Sequence, residues 1–206
     1  MKKNQNNEMD IVFILDRSGS MSGIEKDTIG GYNSYLMSQK DNNIKVTTIL
    51  FDDKYEVLND RTPIKNVKKL TNKDYFVRGS TALLDAIGKS INYIDSKNSN
   101  KALFIITTDG YENSSREFSR EKIKEMIKLH DNYEFMYIGA DIDSYKEGAS
   151  LGISDKNISN YKKDKRGVSK LFAAMGSASK MYYEESCIQE DWKEDLENYI
   201  QDNKNS

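Results

Sequence analysis

Ile11-Val12-Phe13-Ile14-Leu15-Asp16-Arg17-Ser18-Gly19-Ser20-Met21 is the stretch on which the reading of this chain turns. Ile11 to Leu15 is a short, continuous, largely β-branched apolar run, the pattern of a strand buried on both faces. It ends at a carboxylate, and the Gly-containing turn that follows presents two hydroxyls at alternate positions. These are hard oxygen donors, suited to Mg²⁺ or Mn²⁺ rather than zinc. The rest of the chain excludes a soft-ligand centre, because it holds one Cys (Cys187) and one His (His130).

Strand-length apolar runs recur at Asp10 to Leu15, Ile44 to Phe51, Ala102 to Thr107 and Tyr133 to Ile138. Segments of helical period lie between and after them. Leu84, Ile87, Ile91 and Ile94 make one stripe, and Ile123, Met126, Ile127 and His130 another. A third helix with one apolar face is predicted over Val168 to Tyr183. Buried strands alternating with amphipathic helices predict an α/β, doubly wound, mostly parallel sheet with helices on both faces. Tyr55 to Leu58 follows the second strand after only a short Asp-Asp-Lys turn, so it reads as one antiparallel edge strand. A weak sixth strand is placed around Asn157 to Tyr161.

With 206 residues, 37% hydrophobic and 31% charged, the chain suits a single core. The expected organisation is a disordered tail over residues 1–8, one domain over 9–186, and an acidic tail or short helix over 187–206. Trp192, Leu196, Tyr199 and Ile200 keep helical spacing inside that acidic segment, as expected of a terminal helix docked on the domain or on a partner. A net charge of -2 and the lack of any nucleic-acid-binding motif argue against a nucleic-acid partner. No apolar run approaches the roughly 20 residues of a membrane span, and the Lys- and Asn-rich start does not read as a secretory signal. A cytoplasmic protein with no membrane partner is expected.

In an open parallel sheet, ligands bind beyond the carboxyl ends of the strands, where strand order reverses. Asp109 falls directly after the strand that ends at Thr107, in Thr107-Thr108-Asp109-Gly110. Thr81 lies in Arg78-Gly79-Ser80-Thr81-Ala82-Leu83-Leu84-Asp85, a glycine turn opening a helix near Ala82. With Asp16, Ser18 and Ser20, these residues form three oxygen-bearing loops able to converge on one ion.

In these motifs the chain resembles a von Willebrand factor A-type (vWA) domain with a metal-ion-dependent adhesion site (MIDAS). Asp16, Ser18 and Ser20 match the family's DxSxS motif, Thr81 its second-loop threonine and Asp109 its third-loop aspartate. The resemblance covers roughly Asp10 to Glu185, and the Gly-Ser-Thr-Ala-Leu-Leu-Asp-Ala-Ile form of the second loop is most similar to compact intracellular bacterial and phage members. It implies a Rossmann-like fold and a metal site of Asp16, Ser18, Ser20, Thr81 and Asp109, and no catalytic residue. It also implies a protein partner that supplies an Asp or Glu carboxylate to Mg²⁺ or Mn²⁺, with AAA+ ATPases or kinases as partner classes, and movement of the last helix coupled to the site. Two carboxylates just balance a divalent cation, so a bound ion keeps its attraction for a further oxygen.

Other readings compete at several positions. Asp16 at the end of a first strand also suits a phosphoryl-transfer or hydrolytic enzyme, but the second acid expected two residues on is replaced by Ser18. No P-loop, dinucleotide fingerprint or serine elbow accompanies it. Asp52 and Asp53 read as hairpin-turn residues, and Asp85 as an acid stabilising its helix or a neighbouring loop. Tyr111, Glu112 and Arg78 read equally as a rim that selects partners and as a solvated loop. His130 is read as a helix-terminal or core residue, and Cys187 as an inert thiol.

Overall fold

Side chains of a strand point alternately to its two faces, and in β1 (Met9–Asp16) every residue is buried. The molecule is built around that fact. The structure, a computed structural model, describes residues 8–39 and 43–204. Its elements run β1, α1 (Glu25–Ser38), β2 (Ile44–Phe51), β3 (Tyr55–Pro63), α2 (Leu83–Ser96), β4 (Ala102–Thr108), α3 (Arg120–Leu129), β5 (Tyr133–Gly139), α4 (Ser144–Ser150), β6 (Ile158–Asn160), α5 (Lys165–Glu185) and α6 (Glu194–Lys204). The six strands form one sheet in the order β3-β2-β1-β4-β5-β6, parallel except for β3 at one edge.

The two faces of β1 seed two cores. Ile11, Phe13 and Leu15 meet Tyr32 and Tyr35 of α1, Phe172 and Met175 of α5, and Trp192 and Leu196 near the C-terminus. Val12 and Ile14 meet Ile87 and Ile91 of α2, Ile123 and Met126 of α3, and Leu151 after α4. Phe13 packs edge-on to both α1 tyrosines, with ring centroids 5.2 and 4.9 Å away. Chain order runs outward from β1 through β2 to β3, then returns to β4 and runs outward the other way. The reversal therefore lies between β1 and β4, where Asp16 and Asp109 leave the sheet.

Strand ends move by a residue or two from the sequence reading, while β3 differs more. It continues past Leu58 to Pro63 because a bulge, marked by register shifts between Val46 and Ile49, lets Arg61 turn through φ 38° and keep pairing. Arg61 then donates from Nε and Nη2 to Asp10 at 2.8 and 2.9 Å. The tail expected over residues 1–8 lies outside the described residues except for Glu8, which pairs with Lys45 at 2.7 Å and Arg61 at 2.8 Å.

At the other end the sequence predicts an acidic tail or short helix over residues 187–206, of which 205–206 lie outside the described residues. A single turn, Glu190–Lys193, leads into α6, and Trp192 and Leu196 enter the core beside α5. Lys193 is the anchor. Its buried ammonium donates to the carbonyls of Asp155 and Ile158 at 2.9 Å each and to Tyr145 Oη at 3.0 Å. Among the described residues no helix is long and apolar enough to cross a membrane.

Candidate metal centre

Asp16 ends β1 wholly buried, and its carboxylate is held from two sides. Oδ1 accepts from the Ser18 backbone N–H at 2.6 Å, and Oδ2 accepts from Thr108 Oγ1 at 2.6 Å. Burial raises the Asp16 pKa to about 6 against the lowering effect of these hydrogen bonds, with a further rise from the nearby charge of Asp109. A cation bound there would displace a proton at or below that pH.

The hydroxyls converge in front of this carboxylate. Thr81 Oγ1 donates to Ser18 Oγ at 3.0 Å, and Ser18 Oγ lies 3.0 Å from Ser20 Oγ. Asp109 faces the same place from the end of β4. It is buried, and neither of its carboxylate oxygens accepts a hydrogen bond among the described residues. Among the described residues its one charged contact is the Lys163 ammonium, 2.7 Å from Oδ2, an ion pair without hydrogen-bond geometry; the same ammonium reaches the Ser20 carbonyl.

Gly110 keeps the place open. A Cβ there would stand 2.9 Å from Thr81 Oγ1 and 3.0 Å from Ser20 Oγ. All five residues singled out in the sequence, Asp16, Ser18, Ser20, Thr81 and Asp109, therefore meet at the strand-order reversal. Orphaned carboxylate oxygens, three adjoining hydroxyls and a lysine ammonium standing where a cation would be neutralised are a donor set that fits a hard divalent ion. Among the described residues no group of three or more His, Cys, Asp or Glu side chains forms an alternative metal cluster.

The loops owe their positions to residues outside the donor set. Gly79 adopts φ +68°, and a Cβ there would collide with Asp53 Oδ1 at 2.3 Å, so the second loop requires glycine at its turn. Asn113 Oδ1 accepts from the Thr81 N–H at 2.9 Å, tying the second loop to the third. Asp52 makes the hairpin turn by accepting from the Lys54 N–H at 2.7 Å, and it also joins two loops. It accepts from Arg17 Nε at 2.9 Å and from Arg78 Nε at 2.7 Å. Arg78 is thereby committed to Asp52. Glu112 is committed as well, accepting from the N–H groups of Leu84, Ser114 and Ser115 at 2.7 to 2.9 Å. Tyr111, about half exposed, is the most open to solvent of the three rim candidates.

Asp85 holds a neighbouring loop. Its carboxylate accepts from the backbone N–H groups of Arg116, Glu117 and Phe118 at 2.9 to 3.0 Å. Burial pushes its pKa up, but the backbone donors outweigh it and hold the group below the ordinary aspartate value. The stabilisation is therefore present above the unfolded pKa near 4 and is lost as pH falls through the lower folded value. Asp85→Ala is expected to cost about 3 kcal/mol at pH 7 by leaving these donors without an acceptor. Denaturant titrations should show the gap between wild type and variant closing below about pH 4.

His130 closes α3, its Nδ1 2.6 Å from the Met126 carbonyl and its ring stacked on Tyr133, far from this site in the fold. Sequence reasoning missed Arg17, Thr108, Asn113 and Lys163. Thr108 and Asn113 carried a signal, since both flank Asp109 within four residues.

A family model for the von Willebrand factor type A domain matches residues 10–174. A search of curated proteins finds no match. Among solved structures, proximal thread matrix protein 1 of the mussel byssus, with a zinc-occupied MIDAS motif, superimposes with a TM-score of 0.61 at 16% identity, over 82% of this chain and 45% of that one. Manganese-loaded TRAP protein of Plasmodium vivax gives 0.59 at 19% identity, over 81% and 74%. A von Willebrand factor type A protein of Catenulispora acidiphila gives 0.61 at 18% identity, over 84% and 42%. This chain thus spans less than half the length of the mussel and Catenulispora chains. Such identities speak to fold alone. Matched by the model over most of its length, the chain belongs to the von Willebrand factor type A domain family.

Proposed function

We propose that this protein is a metal-dependent protein-recognition module in which Asp16, Ser18, Ser20, Thr81 and Asp109 hold Mg²⁺ or Mn²⁺ and a partner supplies an Asp or Glu carboxylate. The observation that carries the reading is Asp109, a buried carboxylate whose oxygens accept no hydrogen bond among the described residues and lie beside the cluster of three hydroxyls. When bound, the ion supplies an open coordination position for a carboxylate oxygen. The zinc and manganese forms of two structural relatives support a divalent ion at such a site. An adaptor or regulator in the cytoplasm, acting on an AAA+ ATPase or a kinase, is the role that goes with this reading.

A non-catalytic role agrees with the surroundings of Asp16. A phosphoryl-accepting aspartate needs a second acid two residues on. That place holds Ser18, whose hydroxyl accepts from Thr81 and adjoins Ser20.

Lys163 gives the reading a direct test. It sits two residues before α5, and Asp164 between them caps that helix by accepting from the Gly167 N–H at 2.7 Å. An ion entering the site must displace this ammonium from Asp109, next to where α5 begins. Calorimetric titration of the full chain should show one saturable Mg²⁺ or Mn²⁺ site, with Lys163→Ala binding about tenfold more tightly because a competing charge is gone. An affinity for metal that is absent in wild type and in Lys163→Ala alike would end the proposal.

A further inference from the structure

Beside the metal centre runs a groove of about 810 Å³, walled by the loops after β4, β5 and β6 and by α6. Its lining is continuous with the centre along the chain. Tyr111 lies two residues after Asp109, Lys162 precedes Lys163, and the Tyr161 hydroxyl lies 3.9 Å from Met21 Sδ, next to Ser20. The groove is therefore within reach of the residues that flank a carboxylate placed at the metal.

The charges along the groove are not balanced. Asp141 is exposed and makes no hydrogen bond or ion pair among the described residues, and it holds φ at +56° on the rim. Among the described residues the Asp143 carboxylate accepts only from the backbone N–H of Lys146, at 3.1 Å, as the cap of α4. The third carboxylate, Glu197, is already satisfied by the Tyr145 hydroxyl at 2.5 Å and by Lys193 at 3.6 Å. The one cation of the lining, Lys162, pairs with Asp164 at 3.4 Å and lies over the Tyr199 ring. Two unneutralised carboxylates thus stand beside the half-exposed ring of Tyr111, whose hydroxyl accepts from the Asp143 N–H at 3.3 Å. An aromatic face and free carboxylates together recognise a cationic side chain.

Resting on the reading of the metal centre above, we infer that the groove takes a lysine or arginine lying within a few residues of the partner's metal-binding acid. The ligand is then a peptide segment of mixed sign, its carboxylate on the ion and its basic side chain between Tyr111, Asp141 and Asp143. A uniformly acidic segment is repelled by the same groove.

The test uses the full-length protein and a library of nonapeptides with one fixed central Asp and random flanks, selected in Mg²⁺ and again in chelator. Asp141→Asn with Asp143→Asn is the companion variant, because Asn tolerates the left-handed backbone at 141 and caps a helix as Asp does. The expected result is Mg²⁺-dependent selection in which basic residues near the Asp are enriched about fivefold over acidic ones. The double variant should keep the Mg²⁺ dependence and lose the enrichment. Mg²⁺-dependent peptides without basic enrichment, or enrichment unchanged in the double variant, overturn the groove assignment and leave the metal reading standing. Selection that is indifferent to chelator, or no selection at all, overturns both.

Discussion

Asp52→Ala is expected to lower the stability of the protein by about 4 kcal/mol, seen as a reduced denaturation midpoint with an unchanged denaturant slope. Asp52 has no exposed surface, and Arg17, its partner at 2.9 Å, is 1% exposed. Removing one member of a buried ion pair leaves the other uncompensated, which costs far more than the pair contributes over an apolar replacement. Arg17 would keep only Glu56, 2.8 Å away and half exposed, where solvent weakens the attraction. Arg78 and the Lys54 N–H would lose their acceptor in the same step. Asp52→Asn keeps the shape and one acceptor oxygen, so about half the loss is expected. Since Arg17 lies between Asp16 and Ser18, and Arg78 just before Gly79, the Ala variant should also bind metal more weakly. A loss of under 1 kcal/mol would show that Arg17 finds another counter-charge.

The sheet was legible because its strands speak one at a time. A parallel strand buried on both faces must be apolar throughout, so β1, β2, β4 and β5 stand out against a chain that is 31% charged. The helix α1 was not legible for the opposite reason. Gly30, Gly31, Asn33 and Ser34 break its stripe, and it is held by tertiary contact instead of pattern. Gly31 shows how: a Cβ there would lie 2.1 Å from the Phe172 ring, so α1 and α5 approach only because this residue has no side chain. The short α4 is polar and carries a Gly, and it owes its place to β6 and β5.

The five proposed donors could be singled out because each sits beside a recognisable strand end or helix start. What holds them could not be, because a contact such as that of Arg17 with Asp52, 35 residues apart, leaves no local pattern. Lys163 is the extreme case. It comes from the far side of the sheet to a carboxylate 54 positions earlier, and nothing in Lys162-Lys163-Asp164-Lys165 distinguishes it from a solvated run.

Asp109→Asn separates function from folding more sharply than any other change at the site. Its expected effect on Mg²⁺ or Mn²⁺ affinity is a loss of 100-fold or more, since it removes one of only two carboxylates while keeping shape and volume. The metal-free protein should be as stable as wild type, or more stable by about 1 kcal/mol. A buried carboxylate without hydrogen bonds is costly, and among the described residues only the Lys163 ammonium offsets it. Asp16 offers no such separation, because its oxygens also hold the Ser18 N–H and the Thr108 hydroxyl. A residue that weakens the fold at rest and is indispensable for a ligand marks a site kept for binding, whereas one that stabilises the fold and leaves affinity alone is scaffold. Paired calorimetric and denaturation measurements on Asp109→Asn decide between them. Metal affinity within threefold of wild type, or a stability loss above 2 kcal/mol, would make Asp109 a structural counter-ion for Lys163 and remove the metal centre from the account of this domain.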